Sequence, residues 1–296
     1  MAIGRVTQNM MVRQSLTSIE TNASRLAASQ EQLSTGRRLN RPSDSPADAA
    51  AAMRTRAELA AQQQHARNAE DGMGWLNQID GALSGMIVQV RRARDLGLQG
   101  ANDGAMGQQA REALATEVEQ VRAALLASAN TQYIGRPVFG GITAGPSAYD
   151  SSGAWVGTAH PVNRTIGPGV EIQVNVNGPD VFGPAGGSLF DDLDALAADL
   201  RAGDTTAVRA GIDALAGRLD TLTTTQADIG VRARRVEQSL VDAGDNELTL
   251  TSRLSDLEDA DLMRAAIDVK MGELAYQSAL ATSARVLSTS LLDYLR

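Results

Sequence analysis

The chain has 296 residues, 43% hydrophobic but only 3% aromatic, with a formal net charge of −8 and no cysteine. Its length suits two domains cored along paired helices, and its acidic balance argues against nucleic acid, whose phosphates need a basic face. The lack of cysteine excludes disulfides, thiolate nucleophiles and thiolate metal sites, no apolar run approaches a membrane span, and Met1 to Val6 lack the apolar core of a secretory signal.

The first predicted element is a helix carrying Val12, Ile19, Leu26 and Leu33 at steps of seven, with Leu16 and Ala23 in the second seam position. So narrow a stripe leaves a lone helix marginal in water, and it needs a partner to stay ordered. Gly36 supplies a stop, and Arg37 to Pro42 form a basic connector whose arginines Arg37, Arg38 and Arg41 read as a solvated turn, with pairing to acidic neighbours in an assembly as the alternative. The restart is marked by Ser45 as N-cap, Pro46 at the first helical position and Asp48 against the free amides.

From Pro46 a helix continues through an alanine-rich run to a stripe of Met73, Leu76, Ile79, Leu83, Met86 and Val90, ending near Gly97 to Gly104. A third helix follows, with Leu114, Val118, Val121 and Leu125 as its seam. Composition then changes: glycines and prolines from Gly135 to Pro146 break any helix, and Tyr149 to Trp155 reads as two strand ends around a turn. Val170, Ile172, Val174 and Val176 alternate with polar residues, as in a half-buried strand, and Asn177-Gly178 closes it. The β-rich stretch is too small for much of a core of its own. A short amphipathic helix with Leu189, Leu193, Leu196 and Leu200 leads back, and Asp204 is placed to cap the next one.

That next helix is the longest signal in the chain. Val208, Ile212, Leu215, Leu219, Leu222, Ile229, Val236, Leu240, Leu250, Leu254 and Leu257 share one heptad seam, thinned but not dephased by Gln226, Ala233, Ala243 and Glu247. Ser255 to Glu258 have capping-box spacing, which either interrupts this helix or is incidental. Beyond it, Leu262, Ala266, Val269, Tyr276, Leu280 and Leu287 form one stripe, and Ile267, Met271, Leu274 and Ala281 another. A helix apolar on two faces wants more than one neighbour. Only the first helix remains to pair with it in one chain, so other subunits are expected to complete the terminal segments.

Arg5 to Met11, Gln32 to Asp44 and Glu258 to Asp261 resemble the bacterial flagellin superfamily. Within it, Ala129 to Gln132 with Gly135 to Gly141, the run Ala275 to Leu280, and the ending Ser290 to Leu295 are most similar to the FlgL-type hook-associated proteins, which join the hook to the filament. The resemblance implies export through the flagellar type III channel, terminal segments disordered in the monomer, and concentric helical layers in the assembled tube. It implies extracellular location at the hook–filament junction. Implied partners are copies of the chain in a ring or helical layer, a neighbouring hook-associated protein, flagellin, and an export chaperone on the last helix.

The expected fold is mainly α, an elongated antiparallel coiled-coil bundle built from both chain ends with a small inserted β-rich domain. Its expected parts are an assembly helix and connector (1–44), bundle helices (45–135), the β-rich insert (136–187), further bundle helices (188–257) and a last assembly helix (258–296). The expected assembly interface comprises Val12, Leu16, Ile19, Leu26, Leu33, Leu262, Val269, Leu274, Tyr276, Leu280, Leu287, Leu291, Leu292 and Leu295. The expected bundle seam comprises Leu76, Ile79, Leu83, Val118, Leu125, Leu215, Leu219, Leu222, Val236 and Leu240.

Other features read blandly. Asp256, Glu258, Asp259 and Asp261 lack calcium-loop spacing and suit a helix start; His65 and His160 have no metal-ligand partner at helical spacing; the glycines show no phosphate-loop context; Trp75 and Trp155 read as packing residues. No catalytic constellation, cofactor or metal site is expected. Two alternatives to a hook–filament adaptor stay open: a short flagellin, and a coiled-coil-borne surface module that would need Tyr149 and Trp155 as an exposed aromatic platform.

Overall fold

The computed structural model describes residues 2–102 and 107–294, with the side chains of 2–9, 11, 12 and 286–294 outside that description. In order come α1 (Ala2–Thr35), α2 (Pro46–Asn102), α3 (Gln108–Ala129), β1 (Gln132–Tyr133), β2 (Arg136–Pro137), β3 (Asn163–Gly167), β4 (Val170–Gln173), α4 (Gly178–Phe182), α5 (Leu189–Ala202), α6 (Thr205–Glu258) and α7 (Leu262–Tyr294). The fold is mainly α with a small β-rich insert. It divides into two compact units, one of residues up to Ala61 together with those from Glu247, the other of residues 62–246; α2 and α6 contribute to both.

Helix ends follow from side-chain chemistry. Ser45 Oγ accepts the Asp48 N–H at 3.4 Å, and Asp204 Oδ1 accepts those of Thr206 and Ala207 at 3.0 Å. Ser188 and Asp191 close a capping box on α5, and the Ser188 backbone N–H, donated to the Asp191 carboxylate, is the main cause holding that carboxyl below its ordinary range. The Ser255–Glu258 spacing is incidental. The long heptad seam stays one helix through these residues, Ser255 Oγ instead meets the Asp259 carboxylate, and α7 is capped by Asp261, which accepts the Arg264 N–H at 3.1 Å.

In residues 62–246 the apolar seams meet. Leu76, Ile79 and Leu83 of α2, Val118 and Leu125 of α3, and Leu215, Leu219, Leu222 and Val236 of α6 are all buried in one cluster, with Leu240 partly buried against it. Helix α5, expected as a short amphipathic helix at the start of the second set of bundle helices, packs antiparallel along α3. Arg201 near its end pairs with Glu112 and Glu119 at 3.0 and 2.7 Å, and Asp194 nearer its start pairs with Arg122 at 2.7 Å. Gly100 admits α5, because a Cβ there would lie 2.2 Å from Leu200 Cδ2.

The insert is short of sheet but not of core. β1 pairs with β2, and β3 with β4, both antiparallel, with a bulge between Thr165 and Gly167. Phe139, Tyr149, Phe182 and Phe190 pack edge-on or tilted, at centroid distances from 5.2 to 5.8 Å. These rings belong to the same apolar cluster as the helices, so the insert is cored by the bundle rather than by itself. Tyr149 is buried, and that burial raises its hydroxyl pKa. Trp155 is half-buried, its Nε1 donating to the Phe139 carbonyl at 3.0 Å. The exposed platform required of these two residues by a surface-module reading is therefore not formed.

The β1–β2 turn is unusual. Ile134 and Gly135 both have positive φ, +48° and +73°, between the paired residues Tyr133 and Arg136. A two-residue turn with both centres left-handed favours Asn-Gly, and a β-branched residue at its first position is strained. Ile134→Asn is expected to stabilise the folded chain by about 1 kcal/mol, raising its melting temperature by roughly 2–4 °C in a calorimetric scan.

Candidate assembly interface

The chain ends meet at a junction built around Glu258. Its carbonyl accepts the backbone N–H groups of Arg38 and Leu39 at 2.7 and 3.3 Å, and the Ala260 N–H donates to the Gly36 carbonyl at 2.9 Å. Its side chain, only 3% exposed as a residue, accepts from Arg56 Nη2 at 2.6 Å, and Arg37 Nη1 stands 4.0 Å away. Arg38 reaches both the Leu257 carbonyl, at 2.9 Å, and Asp48, at 3.1 Å, while Arg41 pairs with Glu31 at 3.3 Å. The arginines of the basic connector stay largely solvated, as a turn would have them, and are ion-paired as well, because the end of α6 brings the Glu258 backbone against the connector. Of the acids read as helix-start residues, Asp261 has that role and Glu258 is instead an anchor.

From this junction α1 and α7 run antiparallel. A Cβ built on Gly272 would lie 3.2 Å from Leu26 Cδ1 and 3.5 Å from Leu26 Cα, so this glycine sets how closely the helices approach. The inward face of α7 mixes small and larger residues at helical spacing: Ala265 and Val269 are buried, and Gly272, Tyr276 and Ala279 are half-buried. Ile19 and Leu26 are half-buried on α1. Farther along, Ser15, Ser18 and Asn22 face Ser278, Thr282 and Ser283 around a polar groove of about 390 Å³.

The expected interface residues divide accordingly. Val269 and Tyr276 are turned toward α1, whereas Leu262, Leu274 and Leu280 on α7 and Leu16 and Leu33 on α1 are exposed. Val12, Leu287, Leu291 and Leu292 lie on these helices with side chains outside the description, and Leu295 lies outside the described residues altogether. Among the described residues, the outward face of α7 holds a run of bulky aliphatic side chains: Met263, Ile267, Met271 and Leu274 are 80%, 61%, 62% and 62% exposed. Met263 escaped the sequence reading, although it sits one helical step before Ile267 on the second stripe. Such a ridge can do one thing chemically, which is bury itself against another apolar surface. Among the described residues no group of three or more histidines or acids is placed to hold a metal ion, and no helix is long and apolar enough to cross a membrane.

Residues 6–144 match the family model of the bacterial flagellin N-terminal helical region. The flagellin of Bacillus subtilis is 24% identical over 95% of this chain and 95% of its own length. Flagellar hook-associated protein 3 of Escherichia coli is 24% identical over 93% and 94%. Among solved structures, that of a putative flagellar hook-associated protein from Vibrio parahaemolyticus shares the fold with a TM-score of 0.66 and 23% identity, covering 73% of this chain and all of that one. Bacillus cereus FlgL follows at 0.60 and 22%, covering 68% of this chain and 99% of that one.

Removing the Glu258 side chain tests the junction. Glu258→Ala is expected to cost about 1.5–3 kcal/mol of local stability, seen as faster amide hydrogen exchange at Arg38, Leu39 and Ala260 with exchange in the buried part of α3 unchanged; uniform acceleration would mean that Glu258 supports the whole fold.

Proposed function

We propose that this member of the bacterial flagellin superfamily, a structural protein and not an enzyme, is a hook-associated subunit joining hook to filament. It is exported through the flagellar type III channel and assembles through α1 and α7 with copies of itself, a neighbouring hook-associated protein and flagellin, an export chaperone holding α7 beforehand. The observation that carries this reading is the exposed ridge of Met263, Ile267, Met271 and Leu274. Burying such a side chain yields about 1.5–3 kcal/mol, so the ridge favours assembly once neighbours cover it. The similarity to hook-associated protein 3 along nearly the whole chain supports the junction role, and so do the Gly135 to Gly141 run and the Ser290 to Leu295 ending. A second reading, a filament-forming flagellin, is favoured by the equally long match to the Bacillus subtilis flagellin.

Immunogold electron microscopy of intact flagella, with an antibody to residues 136–187, separates the two. Label in a narrow band at the base of the filament is expected; label along the whole filament would make the protein a flagellin. Ile267→Asp with Met271→Asp, or truncation after Leu280, is expected to abolish incorporation while the circular dichroism melt of the 62–246 bundle stays within about 2 °C of the unaltered chain, since a shift larger than that corresponds to a sizeable part of 1 kcal/mol. Normal incorporation of either variant would remove α7 from the interface.

A further inference from the structure

The hairpin tip is the one place among the described residues where a non-glycine residue is held at positive φ, and that residue, Ile134, is 76% exposed. Packing inside the chain therefore returns little for the strain. The hairpin is nonetheless firmly held from below. Tyr133 packs so closely on Gly74 of α2 that a Cβ there would lie 2.1 Å from its hydroxyl; its ring lies 5.4 Å from that of Trp75, and Gln132 Nε2 donates to the Pro146 carbonyl at 2.6 Å. Strain kept at a rigidly supported, exposed position points to a contact outside the chain. Arg136 beside it is the only charged residue between Arg122 and Asp150, so the tip presents an apolar knob with a single cation.

The same unit carries a surface of complementary character. On α6, Glu237, Leu240, Val241 and Gly244 stand at positions i, i+3, i+4 and i+7, the four-residue outline that receives a knob on a helix. Val241 is an exposed apolar side chain, Leu240 is half-buried, and a Cβ on Gly244 would meet nothing within 4 Å, so the helix surface is open beside Val241. No basic residue lies between Arg235 and Arg253, and the acids in that stretch include Glu237, Asp242 and Asp245. We propose that Ile134 of one copy packs on this patch of α6, beside Val241 and over Gly244, on a second copy, with Arg136 turned toward its acids. The two surfaces differ, so the contact is head-to-tail and propagates around a ring or along a helix. The inference rests on the reading of the protein as a repeating flagellar subunit and adds to it a second contact, away from α1 and α7.

The chain has no cysteine, which makes cross-linking decisive. In sheared flagella carrying Ile134→Cys with Val241→Cys, oxidation is expected to give disulfide-linked dimers and higher multimers on a non-reducing gel, absent from either single variant. A double variant that incorporates normally and yields no linked species would overturn the contact. Ile134→Asn, tested in the full chain, is expected to melt no lower than the unaltered protein yet incorporate at least tenfold less; unchanged incorporation, or a lower melting temperature, would each overturn it. Absence of the unaltered chain from flagella would instead sink the flagellar reading, and this contact with it.

Discussion

The terminal helices depend on the way the chain is pinned at Glu258. Its carbonyl takes two amides of the α1–α2 connector, and its carboxylate takes Arg56, so the end of α6 and the start of α2 are tied together where the chain turns into α7. Only three residues, Asp259 to Asp261, separate α6 from α7. The connector from Gly36 to Ser45 is longer and holds a proline, and without those bonds it would let α1 pivot. With them, α1 meets α7 in one register, and Gly272 falls opposite Leu26.

That register decides which apolar surface the chain keeps for itself. The seam between α1 and α7 sets small residues, Ala265, Gly272 and Ala279, among a few larger ones, Val269, Tyr276, Ile19 and Leu26, and turns polar at the serines around the groove, so pairing leaves much of the apolar surface of α7 uncovered. Met263, Ile267, Met271 and Leu274 of α7 point the other way. A helix pair whose better apolar face is outside is stabilised more by a neighbour than by its own closure. The two stripes counted on α7 in the sequence are thus unequal in use: Val269 and Tyr276 belong to the internal seam, and Ile267, Met271 and Leu274 to the open ridge.

Helix existence and the bundle core were legible because heptad spacing survives thinning: Gln226 sits in the α6 seam yet stays in phase, its amide satisfied by Asp80 at 3.1 Å. The connector was not legible, since nothing local to Arg37 and Arg38 announces a partner more than two hundred residues away. Ser255 to Glu258 misled for a related reason: the spacing of a capping box recurs by chance inside helices, and only a break in the seam would have made it informative. Ile134 was missed although a signal existed. Ile-Gly stands between Tyr133 and Arg136 where the two-residue turn asks for Asn-Gly, and the mismatch is visible once the hairpin is assigned.

The insert shows why composition alone misplaces function. All three phenylalanines of the chain, Phe139, Phe182 and Phe190, gather around Tyr149, one of the two residues that a surface-module reading needed exposed. Yet these rings are spent inward. Phe190 is itself on α5, which lies along α3, so the aromatic cluster couples the short strands to the helices and shares their core. A segment cored this way is a rigid extension of the bundle. Its exposed features, the hairpin tip above all, are held in fixed positions relative to α2 and α6 within residues 62–246, and a fixed surface is what a repeating subunit can present identically in every copy.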